Sequence, residues 1–117
     1  MATIHLTKGG FENRIAKIDE MANGWRFLGQ RPALIDFYAS WCGPCKTLSP
    51  ILDEASCLYE GRVDIYKVNV DEEPDLADLF KIRSIPTLYF IPMNGAPKMS
   101  VGGRSKAELV KMIEEIR

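Results

Sequence analysis

Trp41-Cys42-Gly43-Pro44-Cys45-Lys46, entered directly from Ala33-Leu34-Ile35-Asp36-Phe37-Tyr38-Ala39, is the most informative stretch of this chain. The apolar run up to Ala39 reads as a buried strand. Residues 46–59 read as an amphipathic helix, with Leu48, Ile51, Leu52, Ala55, Leu58 and Tyr59 on one stripe and Pro50 inside it as a source of a kink. A strand running straight into a helix puts Cys42 at the helix N-terminus. There, unpaired backbone N–H groups and the positive end of the dipole favour a thiolate over a thiol. Cys45 follows one turn later on the same face, within reach of a disulfide.

Outward from that stretch, strands and helices alternate. Residues 4–6 fit a short first strand, and Phe11, Ile15 and Ile18 mark a first helix by their spacing. The segment from Asn23-Gly24 to Arg31-Pro32 is rich in turn formers and has no clear period. Gly61 closes the long helix, residues 63–70 form the next strand, and residues 74–81 form a short helix burying Leu76, Leu79 and Phe80. Residues 87–91 and 98–102 flank Asn94-Gly95, the signature of an antiparallel hairpin. Ser105 and Glu108 form a capping box that opens a last helix with Leu109, Ile113 and Ile116 on its buried side. This order predicts an α/β fold in three layers, with a central mixed sheet of five strands and helices on both faces.

A chain of 117 residues with 46% hydrophobic content is expected to form a single domain over residues 1–117, with a core that needs no staples. Its 15 basic and 16 acidic residues balance to a net charge of −1, which gives no electrostatic footprint for nucleic acid or an anionic membrane. Residues 1–10 show no signal-peptide pattern, and no apolar run approaches membrane-spanning length. The expected location is the cytoplasm, with an exported location as the alternative if a leader has been removed.

Three cysteines are too few for a disulfide scaffold, and the odd number leaves one outside any single bridge. A static staple between Cys42 and Cys45 would close so short a loop that it barely constrains the unfolded chain. Zinc would need four ligands, and only Cys57 and His5 stand beyond the pair without a second C-x-x-C. Redox exchange is the better reading of the pair. Asp36 sits in an apolar strand and faces either solvent or the interior. In the interior it would hold its proton near neutrality or find a partner. Trp41, in the loop beside Cys42, reads as a cover for the site and a contact for partners. Cys57 reads as a small buried hydrophobe. Lys67 on its own reads as a surface lysine, and Pro86 as a strand-start proline.

Asp36-Phe37, Trp41 through Lys46, Pro50, Lys67, Asn69, Asp71, Ile85-Pro86-Thr87 and Val101-Gly102 resemble the thioredoxin family in order and approximate spacing. The resemblance covers nearly everything from residue 33 to the end. Tyr38 departs from a common tryptophan and Ser84 from a common glycine, and the segment 20–31 is longer than usual. The resemblance implies the thioredoxin fold with about four helices. It also implies a protein-disulfide reductase whose active loop is Trp41, Cys42, Gly43, Pro44 and Cys45. Cys42 would be the nucleophile and Cys45 the resolving thiol, with Asp36 accepting the Cys45 proton through water and Lys67 modulating it. A cis Ile85-Pro86 bond would face the cysteines, Ile85 would offer its backbone to a bound peptide, and Gly102 would leave room for that peptide.

No bound cofactor is implied beyond the redox-active Cys42-Cys45 disulfide. An external, flavin-dependent, NADPH-linked thioredoxin reductase would recycle it. The implied partners are disulfide-containing proteins and that reductase, with the chain itself a monomer. Gly43-Pro44 resembles the reducing members. Two readings remain open, a disulfide oxidase or isomerase of the same fold and a non-catalytic binding subunit.

Overall fold

A computed structural model describes residues 3–117. Met1 and Ala2, the start of the expected 1–117 domain, lie outside the described residues. The elements in chain order are β1 (Ile4–His5), α1 (Lys8–Arg14), a 3-10 helix (Ile18–Asn23), β2 (Ala33–Tyr38), α2 (Gly43–Leu58), β3 (Asp64–Asn69), α3 (Pro74–Leu79), β4 (Thr87–Ile91), β5 (Lys98–Val101) and α4 (Lys106–Ile116). They form the thioredoxin fold.

The five strands lie in the order β1-β3-β2-β4-β5. β2 runs parallel to β3 on one side and antiparallel to β4 on the other, so the sheet is mixed and β2 is central. Being covered on both faces explains its near-continuous apolar sequence. Alternation along β2 sends its residues to two different cores. Ala33, Ile35 and Phe37 face α1 and α3, packing with Phe11, Ile15, Tyr66, Val68 and Leu76. Leu34 faces α2 and α4, packing with Leu48, Leu52, Leu88, Phe90, Leu109 and Ile113. Asp36 and Tyr38 share Leu34's parity and so lie under α2. Side chains on both faces of one sheet give the three expected layers.

Local chemistry explains most boundaries. Thr7 caps α1 by accepting from the Gly10 N–H at 3.1 Å. In the Ser105–Glu108 capping box, each side chain bonds the other residue's backbone N–H, at 3.2 and 3.1 Å. Gly95 supplies the positive φ, +100°, that the β4–β5 turn requires.

Three expectations are corrected. The first helix ends at Arg14, where the Phe11 carbonyl takes both the Ile15 and the Ala16 N–H and the regular ladder stops, and Ile18 instead opens the 3-10 helix with its N–H donating to the Glu12 carboxylate at 2.5 Å. α3 ends at Leu79, with Lys81 in the left-handed region (φ 54°), and of its three expected core residues only Leu76 is fully buried. Leu58 and Cys57 are exposed rather than buried, because the covering residues of α4 and β3 converge on Ala55 and Tyr59 on the other side of the last turn of α2.

Candidate active site

β2 delivers the chain to Ala39, and α2 begins at Gly43 with Cys42 as its N-cap. Cys42 has extended backbone angles (φ −89°, ψ 117°), and its Sγ accepts the Cys45 N–H at 3.2 Å. Sulfur thus takes the place a serine or aspartate oxygen usually fills at a helix start. One orphan N–H and the dipole both point at this sulfur, an arrangement that favours negative charge on it. Pro44 fits the first turn because no intrahelical bond is asked of its nitrogen. Cys42 and Cys45 are joined as a disulfide with their Cα atoms 5.2 Å apart. Both are nearly buried, while Gly43 and Pro44 between them are exposed.

Ala39 and the two cysteines form a small cluster against Tyr38, Val70 and Ile85. The Ile85-Pro86 bond is cis, as expected, and the Ile85 carbonyl oxygen lies 3.8 Å from Cys42 Sγ. The loop before β4 therefore borders the cysteine expected to attack. Gly102 stands behind that loop, its N–H donating to the Pro86 carbonyl at 2.8 Å. Its glycine identity follows from φ +96°, since a Cβ there would meet only Arg104 Nη1 at 3.8 Å, an ordinary contact. Within the chain itself, the reason for a glycine at 102 is thus its backbone conformation.

Trp41 is 69% exposed at the rim and belongs to no core cluster. Its Nε1 donates to Asp71 Oδ2 at 2.8 Å. Asp71 is itself placed by Asn69, whose Oδ1 accepts from the Asp71 N–H at 2.9 Å and the Glu72 N–H at 3.3 Å. The loop after β3 therefore sets the indole. Asn69 and Asp71 were visible in the sequence as a pattern, but their link to Trp41 depends on β3 lying beside β2.

Asp36 is fully buried, and among the described residues neither carboxylate oxygen has a hydrogen-bond partner. Burial pushes its pKa up to about 7, opposed by the positive charge of Lys67. Lys67 is its register partner on β3. The Lys67 ammonium donates to Ser49 Oγ on α2 at 2.8 Å and lies 4.5 Å from the centre of the Tyr38 ring. Lys67 is thus half-buried and engaged rather than free in solvent, and Ser49 is a neighbour that the sequence alone did not single out. Cys57 lies at the far end of α2. Among the described residues, no three of His, Cys, Asp and Glu gather as a metal-ligand group.

The sequence model of the thioredoxin family, described as Thioredoxin, matches residues 2–115. A thioredoxin of Borreliella burgdorferi is 50% identical over 93 residues, covering 78% of this chain and 80% of that one. A thioredoxin of Synechocystis sp. is 44% identical over 84 residues, covering 72% and 78%. The crystal structure of chloroplastic thioredoxin z superposes with a TM-score of 0.80 at 25% identity, covering 99% of this chain and 95% of that one.

Proposed function

The chain belongs to the thioredoxin family and is a thiol–disulfide oxidoreductase that works through a redox-active disulfide on disulfide-containing proteins, and we propose that it runs in the reducing direction with Cys42 attacking and Cys45 resolving. The observation that carries the choice of Cys42 as the attacking sulfur is the capping of α2 by its Sγ, and Gly43-Pro44 between the cysteines, which resembles the reducing members of the family, supports the direction. When the bridge is reduced, that sulfur keeps a helix N-terminus aimed at it, which stabilises the thiolate and lowers the pH at which it forms.

In the proposed cycle, the Cys42 thiolate attacks one sulfur of a substrate disulfide. The substrate S–S bond breaks, a mixed disulfide forms on Cys42, and the other substrate sulfur leaves as a thiolate. Cys45 then gives its proton to Asp36, relayed by water, and attacks Cys42 Sγ. The Cys42–Cys45 bond closes and the second substrate sulfur leaves, so two electrons have passed from the dithiol to the substrate. A proton acceptor is most effective when its pKa lies near the working pH, and burial has brought the Asp36 carboxyl to about 7. The Lys67 charge keeps it from rising further.

The substrate lies as an extended segment along the Ile85 backbone, over Pro86 and Gly102, with Trp41, Gly43 and Pro44 forming the rim it meets. The nearness of Ile85 O to Cys42 Sγ and the exposure of the rim support this placement. The oxidised form is returned to the dithiol by a flavin-dependent, NADPH-linked thioredoxin reductase. The chain acts as a monomer in a reducing compartment, the cytoplasm, where that supply of electrons exists. Among the described residues, no helix is long and apolar enough to cross a membrane.

Reduction of insulin disulfides with NADPH and a thioredoxin reductase tests the direction. Sustained NADPH consumption that Cys42→Ser abolishes is the expected result. A protein that fails this assay but oxidises reduced peptides, with a potential above glutathione's in a redox titration, would instead be an oxidase. Retention of cellular function after both cysteines become serine would make it a binding subunit.

A further inference from the structure

We propose that Ser49 and Tyr38 are positioning residues that clamp the Lys67 ammonium beside the Asp36 carboxyl, so that the buried acid is tuned by a fixed cation rather than by a mobile one. The inference rests on the reading of Asp36 as the proton acceptor, and its geometry stands apart from that reading. A lysine ammonium is a strongly hydrated charge on a flexible four-carbon stem, and left alone it would spend its time in water. Two contacts prevent this. Ser49 Oγ, projecting from α2, accepts from Lys67 Nζ at 2.8 Å, and the Tyr38 ring on β2 lies beneath the ammonium at 4.5 Å. Both belong to the layer between α2 and the sheet that also holds Asp36, because Asp36 and Tyr38 alternate onto the same face of β2.

Among the described residues, the charge of Lys67 is the influence that opposes burial at Asp36. Its strength falls with distance, so holding the ammonium in place is holding the acid in tune. The surroundings contribute little else that titrates. β4 opposes Asp36 with Leu88, and α2 brings Cys45, which is tied in the bridge. β1 brings His5, whose ring lies 6.4 Å from that of Tyr38, and Glu72 acts on Tyr38 from the loop after β3.

The test is a carbon-NMR titration of the Asp36 carboxyl in the oxidised protein, where neither bridged cysteine titrates and the Asp36 carbon reports its own proton. Ser49→Ala and Tyr38→Leu should each raise the midpoint by roughly half a pH unit, as expected when a cation moves outward by a few ångströms in a partly screened site. Tyr38→Phe keeps the ring under the ammonium and should leave the midpoint in place. Lys67→Met should raise it further, and adding Ser49→Ala to Lys67→Met should change nothing more, because Ser49 acts only through Lys67. An unmoved or lowered midpoint in Ser49→Ala or Tyr38→Leu overturns the clamp, as does a Ser49→Ala shift that persists without Lys67. Loss of stability with no shift would likewise reduce both residues to packing. Failure of the acceptor reading looks different, since Asp36→Asn would then leave the resolving step unaltered whatever the titrations show.

Discussion

The two faces of the central sheet are built from alternate residues of the same strand and serve opposite ends. Toward α1 and α3, Ile35 and Phe37 meet a layer in which the rings of Phe37, Phe80 and Tyr89 pack in succession, tilted, with centres 5.2 and 4.7 Å apart. Toward α2 and α4, Leu34 meets an apolar layer, but its neighbour in parity is Asp36, followed by Tyr38, Lys67 and Ser49. Among the described residues the first face buries no charged side chain, although it holds Thr87 and the unpartnered indole Nε1 of Trp25. The other accepts a buried carboxylate with no hydrogen-bond partner among the described residues, an arrangement that costs stability. Stability and reactivity are therefore separable by single substitutions in one strand.

Phe37→Ala should have the largest effect on folding, a loss of about 3–5 kcal/mol, because it removes a fully buried ring from the aromatic cluster. Urea denaturation measures it. The Asp36 midpoint should stay where it is in the surviving folded protein, and a moved midpoint would break the separation of the two faces.

Asp36→Asn should act in the opposite direction. The carboxyl has a folded pKa of about 7 against an ordinary value of 3.8, so between those values the unfolded chain releases a proton that the folded chain keeps. Wild-type stability therefore falls as pH rises through that window and levels off above it. Asp36→Asn removes the penalty, so its advantage should be absent near pH 4 and grow to at most roughly 4 kcal/mol above pH 7. Denaturation at several pH values checks the slope, and release of the mixed disulfide near neutrality should be slower. Unchanged release with lost stability would make Asp36 a structural residue.

Trp41→Ala sharpens the same contrast at the rim. The indole is exposed, so stability should change by no more than about 0.5 kcal/mol, whereas capture of protein disulfides should fall by roughly tenfold, the loss of one anchoring aromatic. Reaction of Cys42 with a small thiol reagent should hardly change.

Cys57→Ser should have the smallest effect. It lies near the other end of α2 from the bridge, about 18 Å away by the helical rise, and it is exposed. Stability within about 0.5 kcal/mol of wild type and full turnover are expected.

Much of this was legible in the sequence because it depends on local rules. The Ser105–Glu108 capping box, the Asn94-Gly95 hairpin and the strand-to-helix entry at Cys42 each follow from a few neighbouring residues, and the structure has all three. Asp36 was legible as a charge in an apolar run. What was hidden depended on partners far along the chain. The exposure of Cys57 and Leu58 depends on where α4 and β3 cover α2, and the periodicity of α2 alone could not tell which side of its last turn would be covered. The engagement of Lys67 by Ser49 and Tyr38, and of Trp41 by Asp71, requires the β2–β3 register, which no spacing within one element reveals. The early end of the first helix turned on one carbonyl, that of Phe11, taking two successive N–H groups, which the apolar spacing of Phe11, Ile15 and Ile18 does not reveal.

The claim on which the account turns is that Cys42, placed by its capping position, is the attacking sulfur and Cys45 the resolving one. Mass spectrometry of the two single variants after incubation with a disulfide substrate tests it most directly. Cys45→Ser should accumulate a mixed disulfide on Cys42, and Cys42→Ser should accumulate none. An adduct on Cys45 in Cys42→Ser, with no adduct on Cys42 in Cys45→Ser, would contradict it.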